Sequence, residues 1–218
     1  MDLRKGCPPV YNQKHLNSCT ANAIAAAVEF DLIKQKNQRV IFPSRLFIFY
    51  NTRAMEGTTR KDEGVYIRDA VKSVARYGDC PESLWRYRVH KFARKPPRRC
   101  YEKALKYRAV EYRRIKRNLD HLRGCLASGY PFVFGFHAHE KFEDVAKKTG
   151  ILNMPSPGEK VLGKHAVLAV GYDDRSHRLM VRNSWGPKFG LGGYFTMPYD
   201  YVLKEDLTAD FWAINVVS

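Results

Sequence analysis

An α+β fold in two subdomains is what these 218 residues predict. Three observations carry it. Apolar residues recur at helical spacing through the first half of the chain. Beyond Pro131 the pattern changes to short apolar runs separated by Gly, Pro and Asp turns. Neither half contains an internal repeat or a low-complexity tract, so each reads as one packed layer system.

The first helix opens at Ser18, a residue type suited to cap it, and runs to about Lys36 on Ala21, Ile24, Ala25, Val28 and Leu32. Pro43-Ser44 starts a second helix, Arg45 to Met55. Ile67, Ala70, Val71, Val74 and Ala75 mark a third, closed by Gly78. After the Pro96-Pro97 break a short helix is expected near Arg99–Lys106, then a strand from Tyr107 to Ile115. Leu119, Leu122 and Leu126 give one more helix, ended by Gly129. Five strands follow: Phe132–Phe136, His165–Tyr172, Arg178–Val181, Gly193–Met197 and Phe211–Val216. The division expected is a helical subdomain over residues 12–106 and a β-rich subdomain over 107–218 joined by 1–11, with a cleft between them.

Composition narrows the classes of function. Hydrophobic residues make up 44% and aromatics 13%, enough for a packed core and too much for a disordered chain. The longest uncharged stretch, Gly124 to His139, is interrupted by Gly129, Pro131 and Gly135. It falls short of the roughly 18–20 apolar residues of a spanning helix. No apolar run follows the opening Met-Asp-Leu-Arg-Lys-Gly, so no signal peptide is read there. Lys and Arg number 38 against 22 Asp and Glu, a net charge of +16. Residues 86–117 alone hold fourteen basic side chains and two acids, Glu102 and Glu111, while the other 186 residues hold 24 and 20. The excess is one segment, a solvated surface or a footprint for an anionic partner. No zinc-finger spacing, recognition-helix pattern or aromatic RNA-binding signature accompanies it.

The five cysteines are Cys7, Cys19, Cys80, Cys100 and Cys125, with no Cys-x-x-Cys pair. Four read as small buried hydrophobes. Cys19 differs because it opens the first helix, where the partial positive charge of the N-terminus favours a thiolate. A thiolate needs a proton carrier. Of seven histidines, His165 stands out: it begins the apolar strand Ala166-Val167-Leu168-Ala169-Val170, and a strand start aims a side chain rigidly. Downstream, Asn183-Ser184-Trp185-Gly186 supplies an amide able to orient an imidazole and an indole able to shield that bond from water.

These segments together resemble the papain-like cysteine peptidases. Asn12-Gln13-Lys14-His15-Leu16-Asn17-Ser18-Cys19-Thr20-Ala21 is similar to the nucleophile region, with Gln13 six residues before Cys19. Gly163-Lys164-His165-Ala166-Val167-Leu168-Ala169-Val170-Gly171-Tyr172 resembles the histidine strand. Arg182-Asn183-Ser184-Trp185-Gly186, running on to Gly192-Gly193-Tyr194-Phe195, resembles the asparagine block, and Asp2-Leu3-Arg4 the start of the mature domain. The three motifs stand in the family's order.

The resemblance implies a papain-like α+β fold, with a helical subdomain, an antiparallel β-barrel-like subdomain and the active-site cleft between. It implies Cys19 as nucleophile, His165 as base and then acid, Asn183 orienting His165, and Gln13 with the Cys19 N–H stabilising the oxyanion of a thioester-forming hydrolysis. Substrate-binding positions implied are Gly64, Tyr66, Gly163, Lys164, Ala166 and Trp185, with an apolar or aromatic preference. Peptides or proteins would be the substrates of a monomer that needs no metal or organic cofactor. An anionic partner is expected at segment 86–117, and the inhibitory prosegment typical of the family's zymogens is expected to be missing from this chain.

Departures from the family pattern mark a bacterial-type or otherwise divergent member. Thr20 replaces the usual Trp, and Leu16 replaces a disulfide cysteine. The Cys-containing Gly-Gly segment is reduced to Asp62-Glu63-Gly64-Val65-Tyr66, and Lys164 puts a cation beside the histidine. The missing disulfide cysteines lean toward a reducing interior. Two other readings use the same chain: another amide hydrolase or acyltransferase on the same scaffold, and a basic binding protein acting through 86–117.

Overall fold

The computed structural model of the chain describes residues 1–35 and 40–216. Lys36, the expected end of the first helix, and Val217 and Ser218, the last residues of the expected β-rich subdomain, lie outside them. The chain divides into two compact units. A helical unit comprises Gly6–Pro8, Gln13–Arg113 and Ile214–Ser218, and a sheet unit comprises Met1–Lys5, Pro9–Asn12 and Arg114–Ala213.

The helical unit is organised by α1, Cys19–Lys34, whose residues from Thr20 to Leu32 are all buried. A helix buried on every side must be enclosed by its neighbours, and the run of small residues at Ala21, Ala23, Ala25, Ala26 and Ala27 lets them approach closely. Ser18 occupies the cap position, but its hydroxyl makes no capping bond. That hydroxyl lies 2.6 Å from the Tyr87 hydroxyl instead. Helix α2, Arg45–Glu56, is capped by Ser44, whose Oγ accepts from the Phe47 amide at 3.2 Å. Helix α3, Ile67–Tyr77, ends at Gly78, where φ is 72° and an added Cβ would lie 1.9 Å from the Ala104 carbonyl oxygen. Only glycine fits there. The short helix α4 covers Arg98–Ala104 and strand β1 covers Ala109–Arg114.

Two buried polar groups shape this unit. Arg53 is fully buried, and its guanidinium donates to the carbonyls of Thr59, Lys61 and Phe92 at 3.0, 2.7 and 2.6 Å while stacking 3.9 Å from the Phe49 ring centroid. It thereby ties two loops to α2. Asp79 is also fully buried, its carboxyl faced by the backbone amides of Cys80 and Ser44 with no closer hydrogen bond among the described residues. Burial pushes its carboxyl well above the usual carboxylate range. Cys80 and Cys100 are buried beside Phe47 and Ala104, whereas Cys7 and Cys125 are only half-buried. Within the basic segment, Arg98 pairs with Glu102 and Arg117 with Glu205. Among the described residues, Arg86, Arg88, Arg94, Lys95, Arg99, Lys103 and Lys106 are exposed and have no carboxylate within ion-pair distance.

In the sheet unit α5, Leu119–Ala127, is capped by Asn118, and β2 runs from Phe132 to His139. A π-helical turn at Phe142–Ala146 leads into α6, Lys147–Thr149; periodicity gave no sign of either. Then come β3, Val161–Asp173; β4, Arg178–Arg182; β5, Tyr194–Pro198; α7, Tyr199–Leu203; and β6, Thr208–Val216. The strand order is β1-β6-β2-β3-β4-β5, antiparallel from β6 to β5. His165 was expected to open its strand, but β3 starts at Val161. The reason is β2, which continues to His139 and pairs Lys164, Gly163 and Val161 with His137, Ala138 and His139. Phe132, Phe134 and Phe136, two residues apart on one face of β2, carry the core with Val167, Val181, Phe195 and Phe211. Each such side chain contributes about 1.5–3 kcal/mol by leaving water. Among the described residues, no helix is long and apolar enough to cross a membrane.

Asp79 gives a pH prediction. Its folded carboxyl keeps its proton above the ordinary value near 3.9, whereas the unfolded chain loses it there, so its contribution to stability falls as pH rises above about 4. Asp79→Asn keeps the shape without the proton linkage. Urea unfolding should find the variant more stable than wild type at pH 7, with the gap closing toward pH 4.

Candidate active site

The sheet unit brings His165, Asn183 and Trp185 together. His165 is on β3, opposite Phe136 of β2, and is 7% exposed. Asn183 directly follows β4 and is 2% exposed. Their side chains meet in a 2.8 Å hydrogen bond between His165 Nε2 and Asn183 Oδ1. The Ser184 amide donates to the same Oδ1 at 2.8 Å, which fixes the amide with its oxygen toward the ring. An amide oxygen only accepts, so Nε2 carries the hydrogen. In the neutral imidazole Nδ1 is then the basic atom.

Rings enclose the imidazole. Trp185 lies 5.1 Å from it between centroids, Phe142 5.7 Å and Phe136 5.8 Å. Phe142, fully buried, also touches Trp185, Phe189 and Phe195. An apolar wall of this kind keeps water from competing for the His165–Asn183 bond and strengthens it. The backbone around Asn183 is held as well: its amide donates to Gly193 O at 3.0 Å. At Gly193 φ is 94°, and a Cβ would lie 2.5 Å from Val10 Cγ1, so glycine is required.

In the helical unit Gln13, Cys19 and Gly64 lie around one turn. Gln13 is 7% exposed, and its Nε2 donates to Leu16 O at 2.9 Å. Lys14 takes a left-handed φ of 56°, and the turn ends at Ser18, leaving Cys19 as the first residue of α1. The first amides of a helix lack intrahelical acceptors and point toward whatever lies at its N-terminus. Asn17 bonds to Asp62 through its amide at 3.0 Å and its side chain at 2.8 Å, and Thr20 Oγ1 bonds to Val65 O at 3.0 Å. These bonds bring Gly64 alongside, so that a Cβ there would lie 3.9 Å from Asn17 O. Thr20, standing where the resemblance implies Trp, is thus a clamp on this segment.

Tyr66 precedes α3 and is 71% exposed. Gly163 and Lys164 are exposed on β3, whereas Ala166 is buried at 4%. Phe142, in a turn without periodicity, and Tyr87, whose hydroxyl partners lie 69 and 74 residues away in the chain, were not legible from sequence. Among the described residues no cysteine is joined in a disulfide. Among the described residues no group of three or more His, Cys, Asp or Glu side chains could hold a metal ion.

Comparison with known proteins adds the following. The sequence profile of one family, described as papain family cysteine protease, matches residues 1–207. An uncharacterized peptidase C1-like protein of Acanthamoeba polyphaga mimivirus is 46% identical over 217 residues, covering 95% of this chain and 70% of the viral protein. The crystal structure of xylellain, a cysteine protease from Xylella fastidiosa, superposes with a TM-score of 0.93 at 40% identity, covering 97% of this chain and 84% of that one. Digestive procathepsin L 3 of Tenebrio molitor has the same fold, with a TM-score of 0.75 at 18% identity, covering 98% of this chain and 68% of that one.

Removing the ring at the centre of the wall tests how far packing supports the site. Phe142→Ala should cost about 3–5 kcal/mol in denaturant unfolding, as expected for a large aromatic deleted from a closed core.

Proposed function

The chain belongs to the papain family of cysteine proteases, and on that premise we propose that Cys19 is the nucleophile, His165 its proton carrier, Asn183 the group that orients His165, and Gln13 a donor to the oxyanion. The observation that carries the assignment is the 2.8 Å bond from His165 Nε2 to Asn183 Oδ1 inside the aromatic wall. It commits Nε2 as donor and leaves Nδ1 for proton transfer. The place of Cys19 at the start of a sixteen-residue helix supports its role, because the helix terminus stabilises a thiolate.

In this reading the thiol proton passes to His165 Nδ1 as Cys19 Sγ attacks the peptide carbonyl carbon. The carbonyl oxygen takes the developing charge and is met by the Cys19 N–H and Gln13 Nε2. The C–N bond then breaks as the Nδ1 proton goes to the leaving amine. A water molecule, deprotonated by Nδ1, hydrolyses the thioester and restores the thiol. The family acts on peptides or proteins. We propose that Gly64, Tyr66, Gly163, Lys164 and Trp185 contact them, with Ala166 backing that surface; the exposure of Tyr66, Gly163 and Lys164 supports it.

Two measurements test the assignment. An epoxysuccinyl thiol-protease inhibitor should add one mass equivalent to the folded protein, on Cys19, and none to Cys19→Ala; an unlabelled wild type would sink the reading. In peptide-hydrolysis assays Asn183→Ala should lower kcat by roughly 10–100-fold and His165→Ala by at least roughly 10³-fold, since the first disorients the acid–base group and the second removes it.

A further inference from the structure

The turn from Gln13 to Ser18 is held at both ends by one hydroxyl. Tyr87 Oη donates to the Gln13 carbonyl at 2.8 Å and lies 2.6 Å from Ser18 Oγ. Its single hydrogen is committed to Gln13, so Ser18 is the donor in the second bond. Behind Ser18 the chain of bonds continues. Asn22 Nδ2 donates to Ser18 O at 2.9 Å and to Ser18 Oγ at 3.1 Å, and Arg45 Nη1 donates to Asn22 Oδ1 at 3.3 Å. Arg45 is itself anchored by Glu82 at 3.1 and 2.7 Å, and its guanidinium lies 4.2 Å from the centroid of the Tyr87 ring. Glu82 Oε1 also accepts from the Tyr87 amide at 3.1 Å. The ring is therefore fixed at its backbone, its face and its hydroxyl.

We propose that Tyr87 is a positioning residue for peptide-bond hydrolysis: its hydroxyl sets the distance between Gln13 and the start of α1, and so holds the two oxyanion donors, Gln13 Nε2 and the Cys19 N–H, at their working separation. The inference rests on the assignment of Gln13 and Cys19 given above. The bond polarity runs one way, from Arg45 through Asn22, Ser18 and Tyr87 to the backbone of Gln13. Burial raises the Tyr87 phenol, so it remains a donor throughout the working pH range. A hole made from two donors on separate residues depends on their spacing, and a misplacement of about 1 Å costs up to about 10²-fold in rate. Gln13 sits before a left-handed residue, Lys14, in a turn with little periodic structure of its own. The brace supplies the rigidity that a helix or strand would otherwise give.

The test is a double-mutant cycle in the full chain. Tyr87→Phe should lower kcat about tenfold with KM within twofold of wild type. In a Gln13→Ala background the same change should cost less than twofold, because the donor it positions is already gone. Ser18→Ala serves as an independent second variant with the same expected pattern. Alkylation of Cys19 by iodoacetamide, a reaction that builds no oxyanion, should keep its rate within twofold and its pH profile unshifted in Tyr87→Phe. Equal tenfold losses with and without Gln13, or a shifted alkylation profile, would overturn the proposal in favour of general loosening. A wild-type Cys19 that resists the epoxysuccinyl inhibitor would instead overturn the assignment of the nucleophile. Intact labelling, with Gln13→Ala impaired and Tyr87→Phe and Ser18→Ala unimpaired, would refute the positioning role alone.

Discussion

The 2.8 Å hydrogen bond between His165 and Asn183 is the constraint around which the sheet unit is arranged. A single bond gives an imidazole a preferred tautomer only if water cannot offer a competing partner, so the ring needs an apolar enclosure. Trp185, Phe142 and Phe136 provide it. Their own support is the aromatic packing of β2 with Phe189 and Phe195. The bond also needs His165 on β3 and Asn183 at the end of β4 to be held at fixed places. The β3–β4 register supplies this by setting Leu168 against Arg182, directly before Asn183. The glycine at 193 and the Ser184 amide then hold the oxygen of Asn183 toward the ring. Sequence, register and packing all converge on one donor–acceptor pair.

The helical unit solves a different problem with buried polar groups. Its Arg45–Glu82 pair has side chains only 9% and 14% exposed. A largely buried ion pair of this kind recovers little net energy once desolvation is counted, but it is costly to break, which makes it useful for fixing geometry. Arg53 does the same for the loops around Thr59 and Phe92. Asp79 is the counter-example, a buried carboxyl that desolvation pushes well above the usual carboxylate range. The unit spends stability at such places, and at the nucleophile turn it gains a rigid frame for a segment that is neither helix nor strand.

How far the sequence foretold this follows from the range of each interaction. Periodicity located α1, α2, α3 and α5 because their faces are buried by local patterns. Cys19, His165 and Asn183 stood out by their places at a helix start, on a strand and just after the next strand, and the family resemblance added Gln13. Ser18 illustrates the failure. Its residue type and position fit a helix cap, yet its hydroxyl serves a partner sixty-nine residues away. The start of β3 was misjudged because Val161 to Lys164 are exposed, and their strand conformation comes from pairing with β2 rather than from any alternation of their own. Phe142 was invisible because a π-helical turn has no diagnostic period. The charge of segment 86–117 was fully legible, since it depends on composition alone. What the structure adds is that most of those cations stand in solvent with no carboxylate partner among the described residues.

Proton transfer at the proposed site depends on Asn183 holding His165 as the Nε2–H tautomer with Nδ1 basic. The most direct measurement is nitrogen-15 NMR of the imidazole in Cys19→Ala, where no thiol shares the proton, at a pH high enough for a neutral ring. Nε2 should appear protonated and Nδ1 unprotonated, and Asn183→Ala should convert this into a tautomer mixture. A proton found on Nδ1, or a mixture with Asn183 in place, would contradict that role of Asn183.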